Sequence, residues 1–141
     1  MNTQQRYRAN IKWPVSVKCS ERSIEGVTLK LSPYGAYIRC ASPPRLYEIL
    51  ELSLSVPNSD CSIEAKGEVV FSNKYGPDDR VTPRGMGVRF LDISKEDRQI
   101  IAKQILDYLQ SNNDNDNVDP KKLRGLQTLI VDLSEGETEV A

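Results

Sequence analysis

At 141 residues with 38% hydrophobic content, the chain is long enough for one domain and can bury a modest core. Its 19 basic and 20 acidic residues leave a net charge of −1, without the basic excess of a dedicated duplex binder, so no DNA or RNA polymer is expected as a partner. Histidine is absent, which excludes serine–histidine and cysteine–histidine catalysis and every histidine metal site.

Residues 1–10 are polar and basic with no apolar stretch behind their charges, so they read as an arm rather than a secretory signal. Strand signals follow. Ile11, Trp13, Val15 and Val17 alternate with Lys12, Ser16 and Lys18, the period of a half-buried strand. Pro14 cannot donate to a ladder and suggests an edge or a bulge there. Val27, Leu29 and Leu31 form the expected inward row of the second strand, opposite Thr28 and Lys30. Ser32-Pro33-Tyr34-Gly35 is a turn, and Ala36 and Ile38 alternate with Tyr37 and Arg39 beyond it. Leu50, Leu52, Leu54 and Val56 give the clearest alternation of all. Ile63, Ala65, Gly67, Val69 and Phe71 form the next expected inward row. A loop from about Asn73 to Arg84 carries Gly76-Pro77 and Pro83, and Met86, Val88 and Phe90 complete a sixth strand. Six short, evenly spaced strands over residues 11–91 predict a mainly β domain, either a small barrel or a sandwich.

The period then changes. Ser94 is an N-cap, with Glu96 and Asp97 in the first turn where carboxylates favour the helix dipole. Ile101, Ile105, Tyr108 and Leu109 share one helical face to about Gln110, a stripe suited to packing on the barrel or to a partner. Residues 111–119 are a polar linker. In the tail, residues 120–141, Leu123, Leu126, Leu129, Ile130 and Leu133 recur at three- and four-residue steps, although Thr128 to Leu133 also reads as a strand. The tail either docks on its own domain, binds a partner or a second copy, or stays disordered. Residues 1–30 carry +4 and residues 111–141 carry −4, so the two ends attract weakly through salt. No apolar run is long enough to span a membrane, and Cys19, Cys40 and Cys61 fit neither a disulfide framework nor a zinc site. They read as reduced thiols of a cytoplasmic protein.

No Walker loop, no dinucleotide-binding glycine fingerprint and no nucleophile–base pair is present, so neither an enzyme nor a cofactor is expected. One arrangement carries binding chemistry. Arg6 and Arg8 flank Tyr7 in the arm, and the turn Lys30-Leu31-Ser32-Pro33-Tyr34-Gly35 follows at a strand end. Guanidinium forks recognise phosphates and guanine edges, a serine hydroxyl bonds phosphate, and glycine lets backbone approach closely. An arginine-bearing arm also serves simply as a solubilising end.

Over residues 4–110 the chain resembles the PilZ domain, the bacterial module known as a receptor for cyclic di-GMP. The arm before Trp13-Pro14-Val15 is similar to the family's opening arginine motif. Leu31-Ser32-Pro33-Tyr34-Gly35-Ala36 is similar to the second motif, which is Asp or Asn, any residue, Ser, two of any residue, then Gly. Gly85-Met86-Gly87-Val88-Arg89-Phe90, followed by Leu91-Asp92-Ile93-Ser94, is similar to the closing strand and helix. The resemblance implies a six-stranded antiparallel barrel with a C-terminal helix, here followed by a tail extension. It also implies a cyclic di-GMP site at Arg6, Arg8, Lys30, Ser32 and Gly35. The motifs are degenerate. Arg8 falls at the last arginine of the first motif, Thr3 and Gln4 fall where the leading pair belongs, and Arg6 is out of register. Lys30 replaces the acidic or amide residue of the second motif, so a hydrogen-bond acceptor is lost and a phosphate-pairing cation is gained. The expected role is a signalling module that binds cyclic di-GMP, or else a ligand-independent adaptor using the barrel face or the tail. A protein partner is expected, with a homodimer as one form of it.

Overall fold

Among the described residues, alternating side chains form the strands of the first two thirds of the chain, and a change to helical spacing forms the two helices that follow. The computed structural model describes residues 8–20, 22–79, 83–111 and 120–138. The strands are β1 (Pro14–Cys19), β2 (Arg22–Ser32), β3 (Gly35–Arg39), β4 (Ile49–Ser55), β5 (Ser62–Asn73) and β6 (Gly85–Ile93). The helices are α1 (Lys95–Ser111) and α2 (Pro120–Thr138). All strand pairs are antiparallel, and the order β1-β2-β3-β6-β5-β4 closes when β4 returns to β1 with Val17 opposite Leu52. The expected six-stranded antiparallel barrel with a C-terminal helix is therefore present, and the sandwich is not. Closure also answers the edge suggested for Pro14. It occupies the first position of β1, a strand paired on both sides, where a missing donor is tolerated.

The interior is filled by the rows the alternation marks. Val17, Leu50, Leu54, Ile63, Val69 and Met86 are fully buried, and Val15, Leu52 and Val88 nearly so. Two expected rows lose their phase, and a bulge explains each. Thr28 pairs with Ile38 but Lys30 pairs with Tyr37, so Leu29 is an extra residue on β2. Thr28 thus points into the barrel, fully buried, while Val27 and Leu29 are only half-buried. On β5, Val69 pairs with Val88 and Phe71 with Gly87, so Val70 is the extra residue. Phe71, expected inside, is exposed, and Asn73 becomes the buried end of the strand.

Thr28 is polar and buried because it ties the segment before β1 to β2. Its hydroxyl donates to the Ile11 carbonyl at 2.7 Å and accepts from the Trp13 amide at 2.8 Å, while the Thr28 amide donates to the Trp13 carbonyl at 2.9 Å. Ile11 and Trp13 are consequently buried core residues.

Ser94 caps α1 as expected, its hydroxyl accepting from the Asp97 amide at 3.0 Å. Ile101, Ala102 and Ile105 bury the helix's inner side. Along the rest of the stripe, Leu109 packs partly against the core and Tyr108 is 36% exposed. The tail segment that reads as helix or strand is helix, and it packs on α1. Leu126 is fully buried in the common core, with Leu129 and Ile130 against it. The Gln99 side-chain amide of α1 donates to the Ile130 carbonyl at 3.0 Å and to the Ser134 hydroxyl.

Replacing Thr28 with Val keeps the volume but strands the Trp13 amide and the Ile11 carbonyl. We expect Thr28→Val to lose about 1–3 kcal/mol in urea unfolding and Thr28→Ser to lose clearly less.

Candidate ligand site at the arm and the β2–β3 bend

The arm reaches the barrel through a backbone exchange. The Ala9 amide donates to the Leu31 carbonyl and the Leu31 amide to the Ala9 carbonyl, both at 2.9 Å. This isolated antiparallel bridge puts Arg8 next to Ala9 on the arm and has Lys30 and Ser32 flanking Leu31 on β2, while the Ile11 amide, donating to the Ala9 carbonyl at 2.9 Å, turns the chain at Asn10. Ala9 and Leu31 turn inward and are buried, whereas Arg8 is exposed. From the other side, Lys122 of α2 donates to the Arg8 carbonyl at 2.8 Å. A charge attraction between the ends was expected, but this contact is a cation on a backbone oxygen, not an ion pair.

The bend itself is organised by Ser32. Its hydroxyl accepts from the Tyr34 and Gly35 amides, each at 3.1 Å, and donates to the Gly35 carbonyl at 3.4 Å. Ser32 is buried, so its oxygen shapes the turn and is not presented to solvent. Gly35 is required for a related reason. A Cβ there would stand 2.4 Å from the Val88 carbonyl, so the close approach of β6 excludes any side chain. Lys30 is half-buried, opposite Tyr37 in the ladder.

A residue not anticipated from the sequence completes the bend. Arg98 of α1 donates through Nε to the Pro33 carbonyl at 3.1 Å, and its guanidinium lies 5.0 Å from the Tyr34 ring centroid. The Tyr34 carbonyl in turn accepts from the Phe90 amide at 2.9 Å. A signal was available: a cation in the first turn of a helix works against the helix dipole and invites another explanation. Lys122 lies in the first turn of α2 and would carry the same signal, but the sequence left this segment open between helix and strand. Of the residues singled out in the sequence, Arg8, Lys30, Ser32 and Gly35 converge at the arm and bend. Arg6 lies outside the described residues.

The chemistry of this constellation suits anions. Arg8 offers an exposed guanidinium, and Lys30, Arg98 and Lys122 add cationic side chains on three further elements. Among the described residues no group of three or more Cys, Asp or Glu could hold a metal ion. A separate cleft lies elsewhere. It has a volume of about 640 Å³, is lined by Cys19, Ser20, Arg22, Arg45, Glu48 and Lys74, and opens at the other end of β2.

Cys19 and Cys40 are buried and Cys61 is exposed. Burial pushes the Cys40 thiol up to about 11, with nearby Arg22 opposing and Cys19 adding to the rise.

The PilZ domain profile matches residues 2–107, three quarters of the chain. Seven chains of known structure match significantly. One is the Bacillus subtilis inhibitor of motility, MotI/DgrA, 16% identical with a TM-score of 0.60. The match covers 74% of this chain and 50% of that protein, so the chain spans about half its length and the likeness is one of fold. No curated protein matches the chain at a significant level.

Because only the thiolate reacts, alkylation at about pH 8 should label Cys61 and spare Cys40 in the folded protein. Cys40 should become reactive only as the pH approaches the range of its raised pKa or as the protein unfolds. Mass spectrometry of partly alkylated protein reads this directly.

Proposed function

The chain belongs to the PilZ domain family, and from that membership we propose that it is a non-enzymatic cytoplasmic signalling module that binds cyclic di-GMP at the arm and the β2–β3 bend. The observation that carries this reading is the Ala9–Leu31 exchange, because it holds the residue next to Arg8 against the end of β2 that carries Lys30 and Ser32. Arg8 and, from the sequence, Arg6 supply guanidinium groups for guanine edges and phosphates. Lys30 pairs with a phosphate where the family's motif has an acceptor. Ser32 and Gly35 act by fixing the backbone of the bend, and Arg98 holds it against α1.

The arm also offers a route from ligand to output. Lys122 grips the Arg8 carbonyl, so a ligand that draws the arm onto the bend alters the seating of α2 on α1. Among the described residues no helix is long and apolar enough to cross a membrane. A second reading is a ligand-independent adaptor that contacts a protein partner, with a second copy as one candidate. It is favoured by the Ser32 hydroxyl, which is already spent on the turn, and by Lys30, which cannot accept the hydrogen bonds that an acidic or amide residue would.

Calorimetry separates the two. The receptor reading predicts saturable heat with cyclic di-GMP and at least about tenfold weaker binding for Arg8→Ala, equivalent to about 1.4 kcal/mol. Absence of heat at high micromolar nucleotide, or an affinity indifferent to Arg8→Ala, removes the receptor and leaves the adaptor.

A further inference from the structure

Nine large hydrophobic side chains are exposed among the described residues, and six of them follow the β4–β5 ladder and its ends: Leu46, Tyr47, Ile49, Val70, Phe71 and Tyr75. The bulge at Val70 is the cause of part of this cluster, since it turns two consecutive side chains, 43% and 47% exposed, to the outside. The pairing that sets Ile49 opposite Glu68 continues past the strand end. The Tyr47 amide donates to the Val69 carbonyl at 2.7 Å and the Val69 amide to the Glu48 carbonyl at 3.0 Å. Tyr47 is held there at φ 69°, in the left-handed region that disfavours an aromatic residue, with 72% of its surface in solvent. On the far side Phe71 meets the Tyr37 ring at 6.1 Å across Gly87, which has no side chain to separate them. Single exposed hydrophobics are ordinary, but six gathered along one ladder and its ends mark a candidate interaction surface.

Charge specifies what it meets. Arg22, Arg45 and Lys74 line the cleft of about 640 Å³ next to this face, against one carboxylate, Glu48. Glu48 accepts from the Arg45 amide at 3.3 Å, and Glu68, opposite Ile49, is paired with Arg89 at 2.6 Å. Further along the ladder, away from the cleft, Glu51 lies opposite Lys66 and Glu64 accepts from Ser53 at 2.7 Å. Arg22 is steadied by Ser42 at 3.3 Å, and Lys74 lies 5.5 Å from the Tyr75 ring centroid. Cationic and apolar positions are interleaved, as in Arg45-Leu46-Tyr47 and Lys74-Tyr75. A symmetric contact with a second copy would bring like charges together. A closed barrel offers no free edge for strand addition, so recognition must run through side chains.

We propose that the β4–β5 face docks an acidic segment of a partner protein, with an apolar or aromatic side chain against Val70 and Phe71 and flanking carboxylates on Arg22, Arg45 and Lys74. This gives the adaptor reading a surface and a partner chemistry. It is spatially separate from the arm, because β2 runs from Arg22 at the cleft to Ser32 at the bend, roughly 30 Å at strand rise.

The test is selection of phage-displayed random peptides on the full chain. Enriched sequences combine Asp or Glu with a large apolar residue. A synthetic peptide of the enriched sequence binds the full chain, weakens with salt, and loses about tenfold or more in affinity with Val70→Lys and, separately, with Arg45→Glu, both at exposed positions where folding is spared. Tyr47→Ser gives a third variant should either fail to fold. No enrichment, a basic or neutral consensus, or binding indifferent to these variants overturns the proposal. Concentration-dependent dimerisation abolished by Val70→Lys assigns the face to a second copy and overturns it as well. Arg8→Ala leaves peptide binding unchanged, so failure of nucleotide binding with peptide binding intact counts against the receptor reading alone.

Discussion

Two backbone hydrogen bonds between Ala9 and Leu31 decide what the rest of this molecule is able to do. Without them the basic arm would be a solubilising end with no fixed relation to the barrel. With them, the residue next to Arg8 is held against the end of β2 where the bend begins. The bonds do not stand alone. The Thr28 hydroxyl bridges Ile11 and Trp13 a few residues further on, and Trp13 is buried beneath it. The arm is thus registered on β2 at two heights before β1 begins, and the buried polar group is fully used.

The bend is fixed from three sides in a comparable way. Ser32 closes it internally, β6 presses on Gly35 from one flank, and Arg98 of α1 holds Pro33 and Tyr34 from another. Lys122 of α2 then reaches the arm at the Arg8 carbonyl. Arm, bend and both helices therefore meet at one end of the barrel. The exposed apolar face and its cationic cleft lie along β4 and β5, toward the opposite end of β2. This polarity puts the proposed nucleotide site at one end and the proposed docking face on a side, so each proposal stands or falls without the other.

Much of the fold was legible because burial on a barrel imposes a strict period. Leu50, Leu52 and Leu54 point inward as their alternation demands, and Ser94 caps α1 as its position demands. The errors fall where one extra residue breaks the period. Nothing local distinguishes Leu29 or Val70 as a bulge, since both are ordinary strand formers, and each shifts the phase only because the partner strand runs one residue shorter. The tail was ambiguous for a different reason: Thr128 to Leu133 suits either helix or strand, and packing against α1 settles it as helix. At the site, residue types pointed to Arg8, Lys30, Ser32 and Gly35, but not to what Ser32 and Gly35 do. Ser32 closes on the Tyr34 and Gly35 amides of its own turn, whereas the need for Gly35 depends on the Val88 carbonyl that β6 brings close. Arg98 is 65 residues from Pro33 and enters only through tertiary structure.

The central claim is that the registered arm and the bend together form the nucleotide site. Backbone amide NMR of the full chain, titrated with cyclic di-GMP, addresses it most directly. The account predicts saturable shifts at Arg8, Ala9, Ser32, Tyr34 and Gly35, with a companion change at Lys122 and none along Val69 to Phe71. Amides at the arm and bend that stay still at saturating nucleotide, or shifts confined to the β4–β5 face, would contradict it.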